Sequence, residues 1–226
     1  MTSIDFDIIN SELLNHEPIQ AWIWFLIPLA AAIVGVIIYI WVNDGDSEPI
    51  QVGSICVLGQ KEAGKTTFLN WLRYGKFVSS YTQTIEKSYP EFVYERNKDK
   101  RFKIKGGNDI GGAQGYVSDY ERYINNSDVC IFVFDVAKFL SDASYRQETW
   151  DRADFIYRKC PETKKRHTIG THFDKTNYKN VNDAANKVIE LSDKKQCKGM
   201  FTKNFTVVDF NKTESFKDCE KRIFGD

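Results

Sequence analysis

ICVLGQKEAGKTTFLNWL, residues 55–72, sets four apolar residues (Ile55, Cys56, Val57 and Leu58) directly before Gly59. Gly64, Lys65 and Thr66 follow, and an apolar-periodic segment then begins with Phe68, Leu69 and Leu72 on one side. This order predicts a strand, a glycine loop and a helix. GQKEAGKT (59–66) satisfies G-x-x-x-x-G-K-[ST] at every position. Gly59 and Gly64 let the backbone wrap closely, turning the amides of the loop residues Lys61, Glu62 and Ala63, and of Thr67 behind them, towards an anion. Lys65 is placed to reach the outer phosphates of a nucleotide, and the Thr66 hydroxyl to ligate Mg²⁺. The dipole of the following helix adds to the attraction. The competing reading is an ordinary strand-to-helix turn. The complete pattern, set between a strand and a helix, argues for phosphate.

Outward from this stretch, strand-like runs alternate with helical ones. Residues 51–58 read as a strand and 65–74 as a helix. EFVYE (91–95) and RFKIK (101–105) alternate with period two around NKDK, the pattern of an antiparallel hairpin. DVCIFVFDV (128–136) is continuously apolar, as in a strand buried on both faces. RHTIGTHFD (166–174) and NFTVVDF (204–210) read as two more strands, and 116–125, 146–159, 181–195 and 214–223 as helices. The alternation predicts an α/β layer fold, a mostly parallel six-stranded sheet flanked by helices. Ligands of such sheets bind beyond the carboxyl ends of the strands.

Charge is balanced, with 31 basic and 31 acidic residues, so nothing in the total argues for nucleic acid. The five cysteines have no CxxC pair, which suits a reducing compartment. Residues 21–42, AWIWFLIPLAAAIVGVIIYIWV, carry no charge over 22 positions. As a helix they would reach roughly 33 Å, enough to cross a hydrocarbon core. Trp22, Trp24, Tyr39 and Trp41 lie towards the ends, where interfacial aromatics belong. A cleaved signal peptide would begin with basic residues, but residues 1–20 hold Asp5, Asp7, Glu12 and Glu17 and no Lys or Arg. The expectation is an acidic tail (1–20), a transmembrane helix (21–42), a linker (43–48) and one soluble domain (49–226).

Three further motifs fall at strand ends. Asp109-Ile110-Gly111-Gly112 begins 43 residues beyond Thr66. A carboxylate there can hold magnesium through water, and the Gly112 amide can meet a γ-phosphate. On its own DxxG is a glycine-rich turn. Thr171-His172-Phe173-Asp174 follows the HTIGT run, where Asp174 can accept from the ring N–H and exocyclic amine of guanine; adenine offers no such pair. A helix cap is the plainer reading of Asp174. Asn211-Lys212-Thr213 ends the last strand, placed to close over a base.

In this order and spacing, GQKEAGKTT, DIGG, THFD and FNKT resemble the motifs of the small-GTPase superfamily, among the TRAFAC P-loop proteins, over about residues 50–224. Within it the likeness is to the Arf-like branch and to the β subunit of the signal recognition particle receptor, which also carries one N-terminal membrane span. LRYGKFVSSYTQT (72–84) resembles their first switch, making Thr84 the switch threonine at Mg²⁺ and the γ-phosphate. THFD is similar to the guanine motif of Roc GTPases. The resemblance implies a Ras-like fold, GTP/GDP with Mg²⁺ as ligands, and metal contacts from Thr66, Thr84 and Asp109. It implies base contacts from Thr171, His172, Asp174, Asn211 and Lys212, and catalytic roles for Lys65 and Gln114. Thr171 and His172 stand where the family has Asn and Lys. Ala113 stands where the water-orienting Gln is expected, with Gln114 one place later. Lys61 and Glu62 fill positions that Ras-like enzymes keep as glycine. These departures predict slow intrinsic hydrolysis.

The leading expectation is a membrane-anchored GTPase switch with its domain in the cytosol, at the endoplasmic reticulum if the receptor likeness holds. The alternative is a GTP-holding receptor or scaffold subunit that hydrolyses little and recruits a partner, such as a receptor α-like subunit or an effector. An ATPase or nucleotide kinase is the third reading. The bilayer through 21–42, the guanine nucleotide and a protein are the expected partners, with no direct nucleic-acid contact.

Overall fold

Alternation along β1 (Ile50–Gly59) builds both halves of the core. Ile55 and Val57 point to one face of the sheet, Cys56 and Leu58 to the other, and all four are buried. A computed structural model of the chain describes Leu29 and residues 31–38, 48–75, 86–97, 100–110 and 114–225. The chain divides into two units, Met1–Ser47 and Glu48–Asp226. In the first, residues 31–38 are helical, and Ile33, Val34, Val36, Ile37 and Ile38 are exposed. Most of the expected membrane span, 21–42, lies outside the described residues, and among those described no helix is long and apolar enough to cross a membrane.

The second unit adds β2 (Glu86–Tyr89), β3 (Phe92–Asn97), β4 (Lys100–Lys105), β5 (Gly107–Ile110), β6 (Val129–Asp135), β7 (Lys165–Thr171) and β8 (Phe205–Val207). The order β2-β5-β1-β6-β7-β8 is parallel from β5 to β8, with β2 antiparallel on β5. β4 pairs with the start of β1 and antiparallel with β3, which bears out the expected hairpin. Eight segments thus make a six-stranded plan, because two strands are broken opposite each other. Pro90 and Glu91 interrupt one, and Gly106 the other. A Cβ on Gly106 would lie 2.8 Å from the Tyr89 carbonyl oxygen, so only glycine lets the two breaks approach.

Helices cover both faces. α1 (Lys65–Tyr74) runs between two glycines in left-handed conformation, Gly64 and Gly75. It packs with α7 (Thr213–Phe224) on the Ile55 and Val57 face, where the Trp71 and Phe216 rings lie 4.6 Å apart. On the opposite face lie α2 (Tyr120–Asn125), α3 (Val136–Ser141), α4 (Ala143–Lys159), α5 (Val181–Ser192) and α6 (Lys198–Thr202). α3 and α6 go beyond the expected helices, and α4 starts three residues before the expected 146. The expected 116–125 helix is a 3-10 turn, Gln114–Asp119, followed by α2. The plainer reading of Asp109-Ile110-Gly111-Gly112 as a glycine-rich turn does not hold at its start: Asp109 lies in β5, paired with Val57 of β1 and Lys87 of β2.

Candidate functional site at the strand ends

β1, β6, β7 and β8 deliver Gly59, Asp135, Thr171 and the turn after Val207 to one end of the sheet. Gly59 has φ 144, and a Cβ there would fall 1.9 Å from the Val133 carbonyl oxygen. No other residue fits so close to β6. Glu62 (φ 63) and Gly64 (φ 86) turn the loop back on itself before α1 begins. Gly64 is the N-cap and has no side chain to satisfy the helix, whose ladder opens with Phe68 N–H donating to Gly64 O at 2.9 Å. The first amides of a helix have no intrahelical partner, the general basis of anion binding at such ends. Within the loop itself, Ala63 N–H donates to Gln60 O at 3.4 Å instead of pointing at an anion. The buried Lys65 Nζ donates to Gln60 O at 2.6 Å, laying the ammonium across the loop. Thr66 and Thr67 follow in the first turn of α1. Lys61 and Glu62 project from the tip, half exposed, with Lys138 Nζ 3.5 Å from Glu62 Oε2.

The second side of the site is joined to this loop. Thr171, fully buried at the end of β7, shares its hydroxyl proton between Ala63 O (2.9 Å) and Phe134 O (3.0 Å). His172 takes a left-handed conformation (φ 57), with Nδ1 2.9 Å from Thr171 Oγ1 and 3.5 Å from Asp135 Oδ2. Burial holds its imidazole below the usual value, against the pull of Asp135. Asp174 is exposed in the short 3-10 turn Phe173–Lys175, whose cap is His172; the plain helix-cap reading of Asp174 fails. Phe210 closes the third side, its ring 3.0 Å from where a Gly64 Cβ would sit. Asn211 N–H donates to Asp209 Oδ1 (3.0 Å), and Lys212 Nζ lies 3.6 Å from Asp209 Oδ2.

A sequence model of the Ras family matches residues 54–223. The chain belongs to the Ras family. Its sequence is also 29% identical over 92 residues to the Ras-related protein rapC of Dictyostelium discoideum, a match covering 41% of this chain and 32% of rapC. The chain spans about a third of the length of that curated relative.

In this Ras-family domain three stretches far apart in sequence meet: the 59–66 loop, Thr171–Asp174 and Asp209–Lys212. Asp109 reaches the same sheet end on β5, and Gln114 opens the 3-10 turn. Thr84 and Gly112 lie outside the described residues. The sequence reading passed over Tyr120, Tyr145, Thr149 and Arg152, which hold the loop from behind. Tyr120 is one residue on another helix, and the i, i+4, i+7 spacing of the other three along 143–159 reads in sequence as an ordinary helix face. Asp135 was also passed over, though an Asp closing a continuous apolar run is a visible signal.

Proposed function

We propose that this chain is a GTP-binding switch whose nucleotide spans the loop 59–66 and the turn at Asp174. The observation that carries it is the junction of Thr171 with Ala63. A hydroxyl in the guanine-motif position is bonded to the phosphate-loop backbone, which supports one nucleotide site spanning both stretches. Lys65 and the α1 amides bind the phosphates, and Asp174 selects guanine by accepting its two donors. Asn211 and Lys212 flank the base. Thr66, Thr84 and Asp109 would hold the Mg²⁺, which supplies neutralising charge on the β- and γ-phosphates when bound. Gln114 is the candidate to orient water. Its displacement by Ala113 supports slow hydrolysis completed by a partner, in the manner of the Arf-like branch or the receptor β subunit.

Residues 21–42 anchor the protein in a membrane on this reading. GTP is a cytosolic compound, so the domain from about residue 49 faces the cytosol. Chromatography of the nucleotide retained on purification tests the central claim, together with GTP and ATP affinities. Bound guanine nucleotide and a strong GTP preference are expected. Equal affinities would refute the assignment of Asp174. A holding subunit, the second reading, differs by showing no single-turnover hydrolysis.

A further inference from the structure

The phosphate loop is suspended from the helix behind it. Tyr120 is fully buried at the start of α2, and its hydroxyl makes three contacts. It accepts from Gly59 N–H at 3.2 Å and from Arg152 Nη1 at 2.9 Å, and donates to Gly59 O at 3.3 Å. A phenol has one proton and two acceptor sites, so this set uses its full capacity. Burial pushes the phenol's ionisation up, which keeps the donated proton in place. Arg152, itself buried, is gripped by Glu148 Oε1 one turn earlier, at 2.6 Å from Nη2 and 3.1 Å from Nε.

The next loop residue is held by the same helix. Gln60 Oε1 accepts from Thr149 Oγ1 at 3.0 Å, a proton shared with Tyr145 O at 2.8 Å, and Gln60 Nε2 donates to Tyr145 O at 3.2 Å. Tyr145, Thr149 and Arg152 stand at i, i+4 and i+7 of α4, one face of the helix. Gln60 O in turn receives the Lys65 ammonium. A guanidinium is expensive to bury, and an apolar residue would fill the same space more cheaply. Glu148 pairs the Arg152 charge, and the remaining Nη1 is spent on the phenol and, through it, on the backbone of Gly59.

We infer that Tyr120, held by Arg152, is a positioning residue for the phosphate loop, coupling the 3-10 turn at 114–119 and helix α4 to nucleotide retention. This rests on the nucleotide-binding reading above. On one side Gly59 pairs with Val133 of β6, so close that no side chain fits between them. Tyr120 fixes it on the other. Because Tyr120 directly follows the turn that begins at Gln114, a shift of that turn is felt at Gly59 through a single hydroxyl. The coupling therefore acts on release of nucleotide, not on chemistry.

The test is the dissociation rate of fluorescent GDP from the full chain, with thermal unfolding measured alongside. Tyr120→Phe keeps the ring and removes only the hydroxyl. It is expected to speed release about three- to tenfold, the consequence of losing hydrogen bonds of this kind. Arg152→Met is expected to speed release similarly. The double variant should be no faster than the faster single, since both act through one hydroxyl. Arg158→Ala, which breaks an exposed pair with Asp154 on the same helix, should leave release unchanged. Thr149→Val offers a second way to loosen the loop, through Gln60. Release from Tyr120→Phe at the parent rate, or additive effects in the double variant, overturns the inference. So does faster release that merely tracks lowered melting temperature across the variants. If the parent retains no guanine nucleotide, the function proposed above falls and this inference with it; if the parent retains it, only this inference is at stake.

Discussion

Thr171 Oγ1 lies 2.9 Å from the carbonyl oxygen of Ala63, across 108 positions of sequence. This contact joins the last residue of β7 to the middle of the phosphate loop, with Phe134 O as a second acceptor at 3.0 Å. Both carbonyls are inside the protein, where an unmatched acceptor costs about 1–3 kcal/mol. Thr171→Val keeps the shape and removes the hydroxyl. Urea unfolding should show a loss of that order, and GDP affinity should fall with it. Thr171→Ser retains the hydroxyl and should recover most of the affinity. Equal affinity in the valine variant would show that the base turn and the loop are independent.

Lys65 and Thr66 test the phosphate side. Lys65→Ala removes the ammonium that bridges the loop through Gln60 O, and Thr66→Ala removes the candidate metal hydroxyl. A lost hydrogen bond to a charged group is worth about 1.5–3 kcal/mol, some ten- to hundredfold in affinity. Titration of GDP with and without Mg²⁺ separates the two, because the Thr66 effect should vanish when magnesium is withdrawn. Unchanged binding in both variants would reduce the loop to a turn.

Asp174 tests the base. Exposed in its 3-10 turn, it is free to accept from a ligand. Asp174→Asn replaces one acceptor by a donor, so guanine should bind more weakly and xanthine, which carries an oxygen where guanine has its amine, more strongly. Competition between GDP and XDP against a fluorescent nucleotide reads this directly. A variant that prefers GDP as strongly as the parent would sink the assignment.

The elements legible in sequence are those whose local signals agree with the tertiary structure. α1 was readable to its ends, Lys65–Tyr74, because Gly64 and Gly75 punctuate it and Phe68, Leu69 and Leu72 share a face. β6 was readable because a strand buried on both faces is apolar throughout. β5 was not. Gly107-Asn108-Asp109 has the composition of a turn, and it becomes strand only because β1 and β2 offer it backbone partners on both sides. Gly107 is there for room, since a Cβ would meet the Tyr89 hydroxyl at 2.5 Å, the group that donates to Ile55 O. α3 was lost because Val136-Ala137-Lys138-Phe139 continues the apolar run of β6. Only the Asp135 carboxylate, accepting from Lys138 N–H at 3.0 Å, marks the change. Of the site, the loop and the strand-end motifs were legible. Tyr120 and Arg152 were not, because their pairing depends on how α2 and α4 cross.

Acid should weaken the fold through His167, buried on β7. Burial, reinforced by the Lys165 charge, lowers its imidazole from 6.5 to about 4. Between those values the unfolded chain binds a proton that the folded chain refuses. Stability therefore rises with pH across that window, is complete above about 6.5, and is lost as pH falls towards 4. At about 1.4 kcal/mol per unit, the lowering corresponds to about 3 kcal/mol. Burial lowers His172 too, so the parent's slope contains a second contribution of the same sign. His167→Gln isolates the first. Urea unfolding at pH 7.5 and pH 5 should show the parent losing more stability than the variant between the two conditions. Comparing the slopes, not the absolute stabilities, removes whatever the substitution costs in packing. Parallel slopes would place the acid sensitivity elsewhere in the chain.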